Sequence, residues 1–324
     1  MGRRSPSGSS STRFSSLPPV PPKRLEVEID GRTLSLSNLD KPMYPEAGFL
    51  KGHVIDYYTR VAPVLLGHLR DRPLTLKRYP DGVEGPHFYE KQCPSHAPEW
   101  VQKTRVDSSR ARDGKINFCL ANDLPTLVWL ANLADLELHA SLALAHDYSR
   151  PTVIAFDLDP GPPATIVECA EVALELRMIF EHLGMQAFPK TSGSKGMQVY
   201  VPLNTAVGYE QTRPFSRGLA ELLERRRPDL VVSEMAKAKR TGKVFVDWSQ
   251  NADFKTTVCV YSLRARPEPT VSTPLTWEEV EAVTRSRDPG DVVFTSAQVL
   301  ERVAEHGDLF AGVIELEQRL PDAL

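Results

Sequence analysis

The segment PTVIAFDLDPG (151–161) constrains the fold of this 324-residue chain more than any other. Its unbroken apolar, β-branched run reads as a short buried-type strand, ended by a Pro-Gly turn. Residues i and i+2 of a strand share a face, so Asp157 and Asp159 converge. Two like charges this close repel and desolvate badly unless they share something positive, and a hard divalent cation with oxygen ligands is the usual resolution. Asp247 ends a second apolar run, KVFVDW, and adds a third carboxylate if that strand lies beside the first. Three carboxylates can hold a pair of Mg²⁺ or Mn²⁺ ions. The D-x-D spacing is weakly specific by itself, since exposed turn acids share it; its place after VIAF favours a site.

Around this strand, periodicity predicts the remaining elements. LEVEID and RTLSLS flank Asp30-Gly31 as a β-hairpin. Residues 52–69 carry apolar positions at helical spacing, with Pro63 expected to end or kink the helix. PLTLKRYP reads as a strand. Asn122-Asp123 caps a helix expected to run through LPTLVWLANLADLEL, which puts His139 near a helix end as a satisfied structural histidine. After the Asp157 strand come a helix over 163–183 closed by Gly184, strand QVYVPL, a helix over 209–226, and strands KVFVDWS and TVCVYSL. Two short helices, 277–284 and 296–305, finish the chain. The order predicts an α/β or α+β sheet with helices on at least one face.

Between the 163–183 helix and QVYVPL lies Lys190-Thr191-Ser192-Gly193-Ser194-Lys195-Gly196. Small residues let backbone N–H groups approach an anion, and two hydroxyls and two lysines suit a triphosphate. It is not a Walker loop, because the lysine precedes the second glycine and no helix begins there. A flexible polar turn is the bland alternative. Arg264 and Arg266 follow a strand, where arginine can clamp phosphate oxygens or pair with surface acids.

Bulk charge does not announce a nucleic-acid binder, since the chain carries a net charge of −3. The sum hides an asymmetry: residues 278–324 hold eleven acids and four arginines, whereas residues 1–24 hold five cations and no acid. That Ser/Pro-rich tail is expected to be disordered; it can touch polyanions, or be a solvated extension with no role. Lysines and arginines are interleaved with rings at Lys41, Tyr44, Lys51, Lys77, Arg78, Tyr79, Phe88, Tyr89 and Lys91, the mixture that tracks a backbone and stacks a base. Core aromatics among solvated lysines are the alternative. No apolar run reaches the roughly 18 residues of a membrane span and no secretory signal is evident, so a soluble, intracellular protein without membrane association is expected. Cys93, Cys119, Cys169 and Cys259 are far apart, form no C-x-x-C pair, and read as ordinary buried or free thiols.

Seven segments, NLDKPMYPEAGFLKGHVIDYY, RPLTLKRYPDG, FYEKQ, WLANLADLELH, FDLDP, TSGSKG and VFVDWSQN, in this order and spacing, resemble the polymerase domain of bacterial ligase D, a branch of the archaeo-eukaryotic primase superfamily. The resemblance covers residues 25–310 and implies an α+β primase-like fold with a mixed or antiparallel sheet core flanked by helices. The implied organisation is a tail over 1–24, a DNA-end-binding part over 25–150, a catalytic part over 151–266, a helical part over 275–310 and an extension over 311–324. It implies a nucleotidyltransferase of non-homologous end joining in the bacterial cytoplasm, associated with the nucleoid, that adds nucleotides, preferably ribonucleotides, at broken or gapped DNA. Two Mn²⁺ or Mg²⁺ ions are the implied cofactors. NTP or dNTP, DNA ends or gaps with a 5′-phosphate, Ku and a separate DNA ligase are the candidate partners.

Position by position, Asp157, Asp159 and Asp247 match the family's metal-binding, catalytic carboxylates. Ser192, Lys195 and Gly196 match its phosphate-contacting turn; His139, Lys77 and Arg264 match residues of the nucleotide site. Lys41 and Lys51, with Asn38 beside them, match the group that holds a recessed 5′-phosphate, and Phe88 and Tyr89 match aromatics that meet the template. One position departs: Gln198 stands where the family's SGxKGxH pattern has histidine. An amide bonds a phosphate or ribose but carries no charge, so weaker nucleotide binding or altered sugar preference is expected, not loss of activity. The rivals are a haloacid-dehalogenase-type phosphatase, disfavoured because Pro160 and Gly161 follow the second aspartate, and a catalytically weak DNA-end-binding or bridging module.

Overall fold

The computed structural model describes residues 1–2, 24–108 and 113–321. The tail expected over 1–24 therefore lies almost wholly outside the described residues, as do the last three residues of the extension.

Asp30 and Gly31 both take positive φ and turn β1 (Arg24–Ile29) into β2 (Arg32–Ser37). A smaller hairpin of β3 (Pro42–Tyr44) and β4 (Phe49–Leu50) leads into α1 (Lys51–Leu69). Pro63 does not end this helix but lies within it. It sits on the exposed side while Val61, Ala62, Leu65 and Leu69 are buried around it, so packing of the inner face outweighs one missing hydrogen bond.

Strands β5 (Leu74–Arg78), β6 (Phe88–Glu90), β7 (Lys103–Asp107) and β8 (Lys115–Cys119) precede α2 (Leu124–Asn132). Asp123 caps α2 by accepting from Thr126 N at 3.0 Å, with Pro125 in the first turn. The helix stops six residues short of the predicted Leu138. Ala134 adopts positive φ, and Asp135–Ser141 forms β9, which pairs with β5. Leu136, Leu138 and Ala140 are buried along β9, so cross-strand pairing and burial override the local helical preference.

The chain continues through the short strands β10 (Ala143–Leu144) and β11 (Asp147–Pro151) to β12 (Val153–Pro160), α3 (Ile166–His182), β13 (Phe188–Thr191) and β14 (Met197–Pro202). Then follow α4 (Tyr209–Arg226), β15 (Val231–Val232), β16 (Val244–Asp247) and β17 (Thr256–Val258). Strand β17 is shorter than TVCVYSL suggested, because the chain turns at Tyr261, whose φ is 63°. Helices α5 (Trp277–Ser286), α6 (Ser296–His306) and α7 (Gly312–Glu315) complete the order.

Two sheets result. One runs β17-β9-β5-β8-β7 with β6 also on β5; the other runs β13-β14-β12-β16-β15. Within the second, only the β15–β16 pair is parallel. The predicted α+β class with a mixed, mainly antiparallel core is therefore the observed one. Strand β12 is central. Its residues Ile154, Phe156 and Leu158 enter a core with Leu176 and Phe180 of α3 and Leu219 and Leu223 of α4. By the period of two, Val153 and Ala155 point the other way, into the core shared with the first sheet. Asp157 and Asp159 continue that face past the point where the apolar contact ends.

The cysteines depart from expectation. Cys93 and Cys119 form a disulfide across 26 positions, whereas Cys169 and Cys259 are buried thiols as predicted. Sheet pairing brings the two partners together: Cys119 ends β8, and Cys93 N donates to Asn117 O at 2.6 Å, with a Cα–Cα distance of 5.0 Å.

Asn251 holds β12 where β16 does not yet reach it. Its Oδ1 accepts from Ala155 N at 3.0 Å and its Nδ2 donates to Ala155 O at 2.8 Å, all fully buried. Asn251→Ala strands both backbone groups and is expected to lower stability by about 3 kcal/mol in urea unfolding. A change within about 0.5 kcal/mol, the size of an ordinary surface substitution, would show that this contact does not hold the strand.

Candidate active site

A cavity of about 370 Å³ opens between the two sheets. Tyr89, His139, Thr256, Thr257 and Val258 line it from the first sheet; Asp157, Asp159, Ser192, Ser194, Lys195, Gly196 and Gln198 line it from the second, with Gln250 and Arg264 from loops. The carboxylates and the glycine turn, distant in sequence, thus face one space.

The registers explain the meeting. Asp157 lies opposite Gln198 of β14 on one side and Asp247 of β16 on the other. The turn 192–196 joins β13 to β14 as a hairpin, and does not follow a helix as predicted. Gly193 takes φ +66°, and a Cβ on Gly196 would lie 2.1 Å from Leu158 O, so only glycine lets the turn close onto the end of β12. Ser192 Oγ accepts from Ser194 N at 3.2 Å and Gly196 N at 3.1 Å, which fixes the turn internally. Lys195 lines the cavity. Lys190, expected to add charge there, is fully buried in β13: its Nζ donates to Val258 O at 3.1 Å and Ser272 Oγ at 2.7 Å. Burial brings its pKa down to about 7.

The two cavity carboxylates are electrostatically costly. Burial, then the charges of Asp159 and Asp247, push the Asp157 pKa up to about 7, despite the bond that Gln198 Nε2 donates at 3.0 Å. Burial and Asp247 also raise Asp159, whose carboxylate makes no hydrogen bond or ion pair among the described residues. Two hard oxygen donors that repel each other, one of them unpartnered, fit a divalent cation. Asp247 is near enough to raise both, yet its own oxygens accept from Ser249 N at 2.9 Å and Gln250 Nε2 at 2.9 Å. Among the described residues no three acidic, histidine or cysteine side chains are gathered into a ready cage.

On the opposite wall, His139 lies in β9, not at a helix end. Its Nε2 is 3.1 Å from Glu137 Oε2, and its ring meets Tyr89 edge-on at 5.8 Å. Arg264 reaches Glu137 at 3.3 Å and donates to Ser192 O; Lys77 reaches Glu137 at 3.1 Å and lies 5.3 Å from the Tyr89 ring centre. Phe88 and Tyr89, on β6, are exposed, with Arg78 over the Phe88 ring. Asn38, Lys41 and Lys51 are joined by backbone bonds, Lys41 N to Asn38 O and Lys51 N to Lys41 O. Lys41 Nζ pairs with Asp81 at 2.7 Å in the open, while Lys51 Nζ donates to Ser37 O at 2.7 Å and is buried. Burial and the neighbouring charges of Lys41 and Arg78 lower the Lys51 pKa to about 8.

Sequence reasoning missed Glu137, Thr257, Gln250 and Asn251. Glu137 had a usable signal, since ELH in a strand puts Glu137 and His139 on one face; reading the segment as helix concealed it. Gln198 was singled out, but its partners were not: Nε2 also donates to Thr257 Oγ1 at 3.1 Å, and Oε1 is buried without a partner.

Known proteins are similar to most of this chain. The family described as the LigD primase-polymerase domain matches residues 50–310. The multifunctional non-homologous end joining protein LigD of Mycolicibacterium smegmatis is 40% identical over 278 residues, 85% of this chain and 35% of that protein. The bifunctional non-homologous end joining protein LigD of Bacillus subtilis is 34% identical over 275 residues, 85% of this chain and 43% of that one. The chain thus spans between a third and a half of the length of these relatives. Among solved structures, the polymerase domain from Mycobacterium tuberculosis ligase D in complex with DNA matches with a TM-score of 0.79 and 38% identity, covering 88% of this chain and 99% of that one.

Because its folded-state pKa lies above its unfolded value, Asp157 costs stability progressively as pH rises from the ordinary carboxylate range to about 7, and the full cost persists above that. In EDTA, Asp157→Asn is therefore expected to melt several degrees above the wild type at pH 8 and level with it near pH 4. Equal melting at pH 8 would mean that the carboxylate is not strained.

Proposed function

The chain belongs to the LigD primase-polymerase family, and from that premise we propose that it is a nucleotidyltransferase that adds NTPs, preferably ribonucleotides, to primer 3′ ends at DNA breaks or gaps. The observation that carries the reading is the single cavity with two carboxylates on one wall and a glycine turn, Arg264 and His139 around it. The relatives are named for non-homologous end joining, and the M. tuberculosis domain is in complex with DNA. DNA ends with a 5′-phosphate are the proposed substrate, and Ku and a separate DNA ligase the proposed partners.

Asp157 and Asp159, with Asp247 beside them, would hold two divalent ions, Mn²⁺ or Mg²⁺. Bound there, such ions neutralise the triphosphate and lower the pKa of the primer hydroxyl. The protein's own work is placement. Backbone N–H groups of the 192–196 turn and Lys195 grip phosphate oxygens, and Arg264 adds a guanidinium fixed between Glu137 and Ser192 O. His139 lines the same cavity and would meet the nucleotide there. Gln198 orients the Asp157 carboxylate by its donated bond, which keeps the acid pair intact without histidine at this position. Phe88 and Tyr89 stack template bases, and Lys41 and Lys51 with Asn38 take the 5′-phosphate of the recessed strand.

The test is primer extension on gapped DNA with ribonucleotides and Mn²⁺. The wild type is expected to extend, and Asp159→Ala to lose at least about 100-fold in rate. No extension by the wild type, or full activity in Asp159→Ala, would overturn the assignment; phosphate release from a simple phosphomonoester would favour the phosphatase rival. Lys51→Ala is expected to reduce the preference for 5′-phosphorylated over unphosphorylated gaps about tenfold in a binding assay. Equal loss on both substrates would remove Lys51 from that role.

A further inference from the structure

Glu137 belongs to none of the roles above, yet the cations of the cavity wall converge on it. It is 2% exposed. Its Oε1 accepts from Lys77 Nζ at 3.1 Å, Tyr79 OH at 3.2 Å and the backbone N–H of Ala265 at 3.1 Å; its Oε2 faces His139 Nε2 at 3.1 Å and Arg264 Nε at 3.3 Å. Lys77 comes from β5, His139 from β9, and Arg264 and Ala265 from the loop beyond β17, so one carboxylate joins three separate pieces of chain.

The join extends across the cavity. Arg264 also donates to Ser192 O, and Thr270 Oγ1 from the same loop donates to Gly193 O at 2.6 Å. The glycine turn of the second sheet is thereby tied to Glu137 of the first through Arg264. Lys77, His139 and Arg264 are mostly buried, with side-chain exposures of 12%, 13% and 16%; burial lowers the His139 pKa, so the cations of the group are Lys77 and Arg264. Crowded without a counter-charge, such groups repel one another and turn to solvent.

We propose that Glu137 is a positioning residue that holds Arg264, His139 and Lys77 as a preassembled wall for the triphosphate, and through Arg264 sets where the glycine turn stands. This rests on the reading that the cavity takes a nucleoside triphosphate. Two roles for a buried carboxylate there predict opposite signs. If Glu137 only offsets positive charge, neutralising it makes the cavity more positive and tightens triphosphate binding. If it positions the cations, neutralising it frees them and weakens binding although net positive charge has increased.

The experiment measures equilibrium binding of a non-hydrolysable ribonucleoside triphosphate with Mg²⁺, without DNA, to the wild type, Glu137→Gln and Glu137→Asp, beside thermal melts. Glu137→Gln is expected to bind about tenfold more weakly, the effect of removing one charge-assisted hydrogen bond to the phosphates. Glu137→Asp keeps the charge but withdraws the carboxylate by one methylene, and the thermal melt shows which variant folds; weaker binding is expected in it too. In primer extension the folded variants are expected to raise KM for the nucleotide as well as lower kcat, whereas a purely structural role reduces the amount of folded enzyme and leaves KM unchanged. Wild-type or tighter binding in a folded variant overturns the proposal. A wild type that binds triphosphate yet extends no primer removes the polymerase reading and leaves the Glu137 assignment to the binding result.

Discussion

The structure is arranged around the repulsion between Asp157 and Asp159. Both lie on one face of the central strand where it borders the cavity, Asp157 partly buried and Asp159 exposed, and desolvation together with neighbouring acids raises both carboxyls. Such a pair persists only in a frame that over-determines it. The β12 strand is clamped by β14 and β16, by Asn251 where β16 falls short, and by the apolar packing of Ile154, Phe156 and Leu158 behind it. Gln198 donates to Asp157 directly. The repulsion is thus stored in a rigid strand, and any cation that enters the cavity relieves it.

Across the cavity the opposite charges are assembled with similar economy. Lys77, His139 and Arg264 converge on one acid, and Arg264 links that wall to the glycine turn. Charge is therefore separated over a short distance: acids on β12, cations on β5 and the loop beyond β17. A net charge of −3 does not describe this local field. Under the proposed function, the Asn38, Lys41 and Lys51 cluster and the exposed rings of Phe88 and Tyr89 would suit a short end or gap more than long duplex.

What sequence made visible was periodic or local. Alternation through VIAFDLD placed Asp157 and Asp159 on one face; an apolar run ending at Asp247 offered a third carboxylate if its strand lay beside the first, and the register shows that it does; the 209–226 helix has the predicted bounds. The misses are long-range. LADLELH carries a helical pattern, and only pairing with β5 and β17 makes its second half a strand, so His139 and Glu137 changed surroundings together. Lys190 reads as a surface cation until the partners of its ammonium, Val258 O and Ser272 Oγ, are seen. Pro63 breaks a helix on propensity alone but not one held by a buried face. The Cys93–Cys119 disulfide follows from sheet register, which spacing does not encode.

The central claim is that the β12 acids and the cation wall form one site for a triphosphate and divalent ions. Its most direct test is calorimetric titration of the wild type with a ribonucleoside triphosphate in Mn²⁺ and again in EDTA. The account expects affinity at least about tenfold higher with the metal, because bare Asp157 and Asp159 repel the triphosphate and metal-bound ones do not. Equal affinity in EDTA would contradict it.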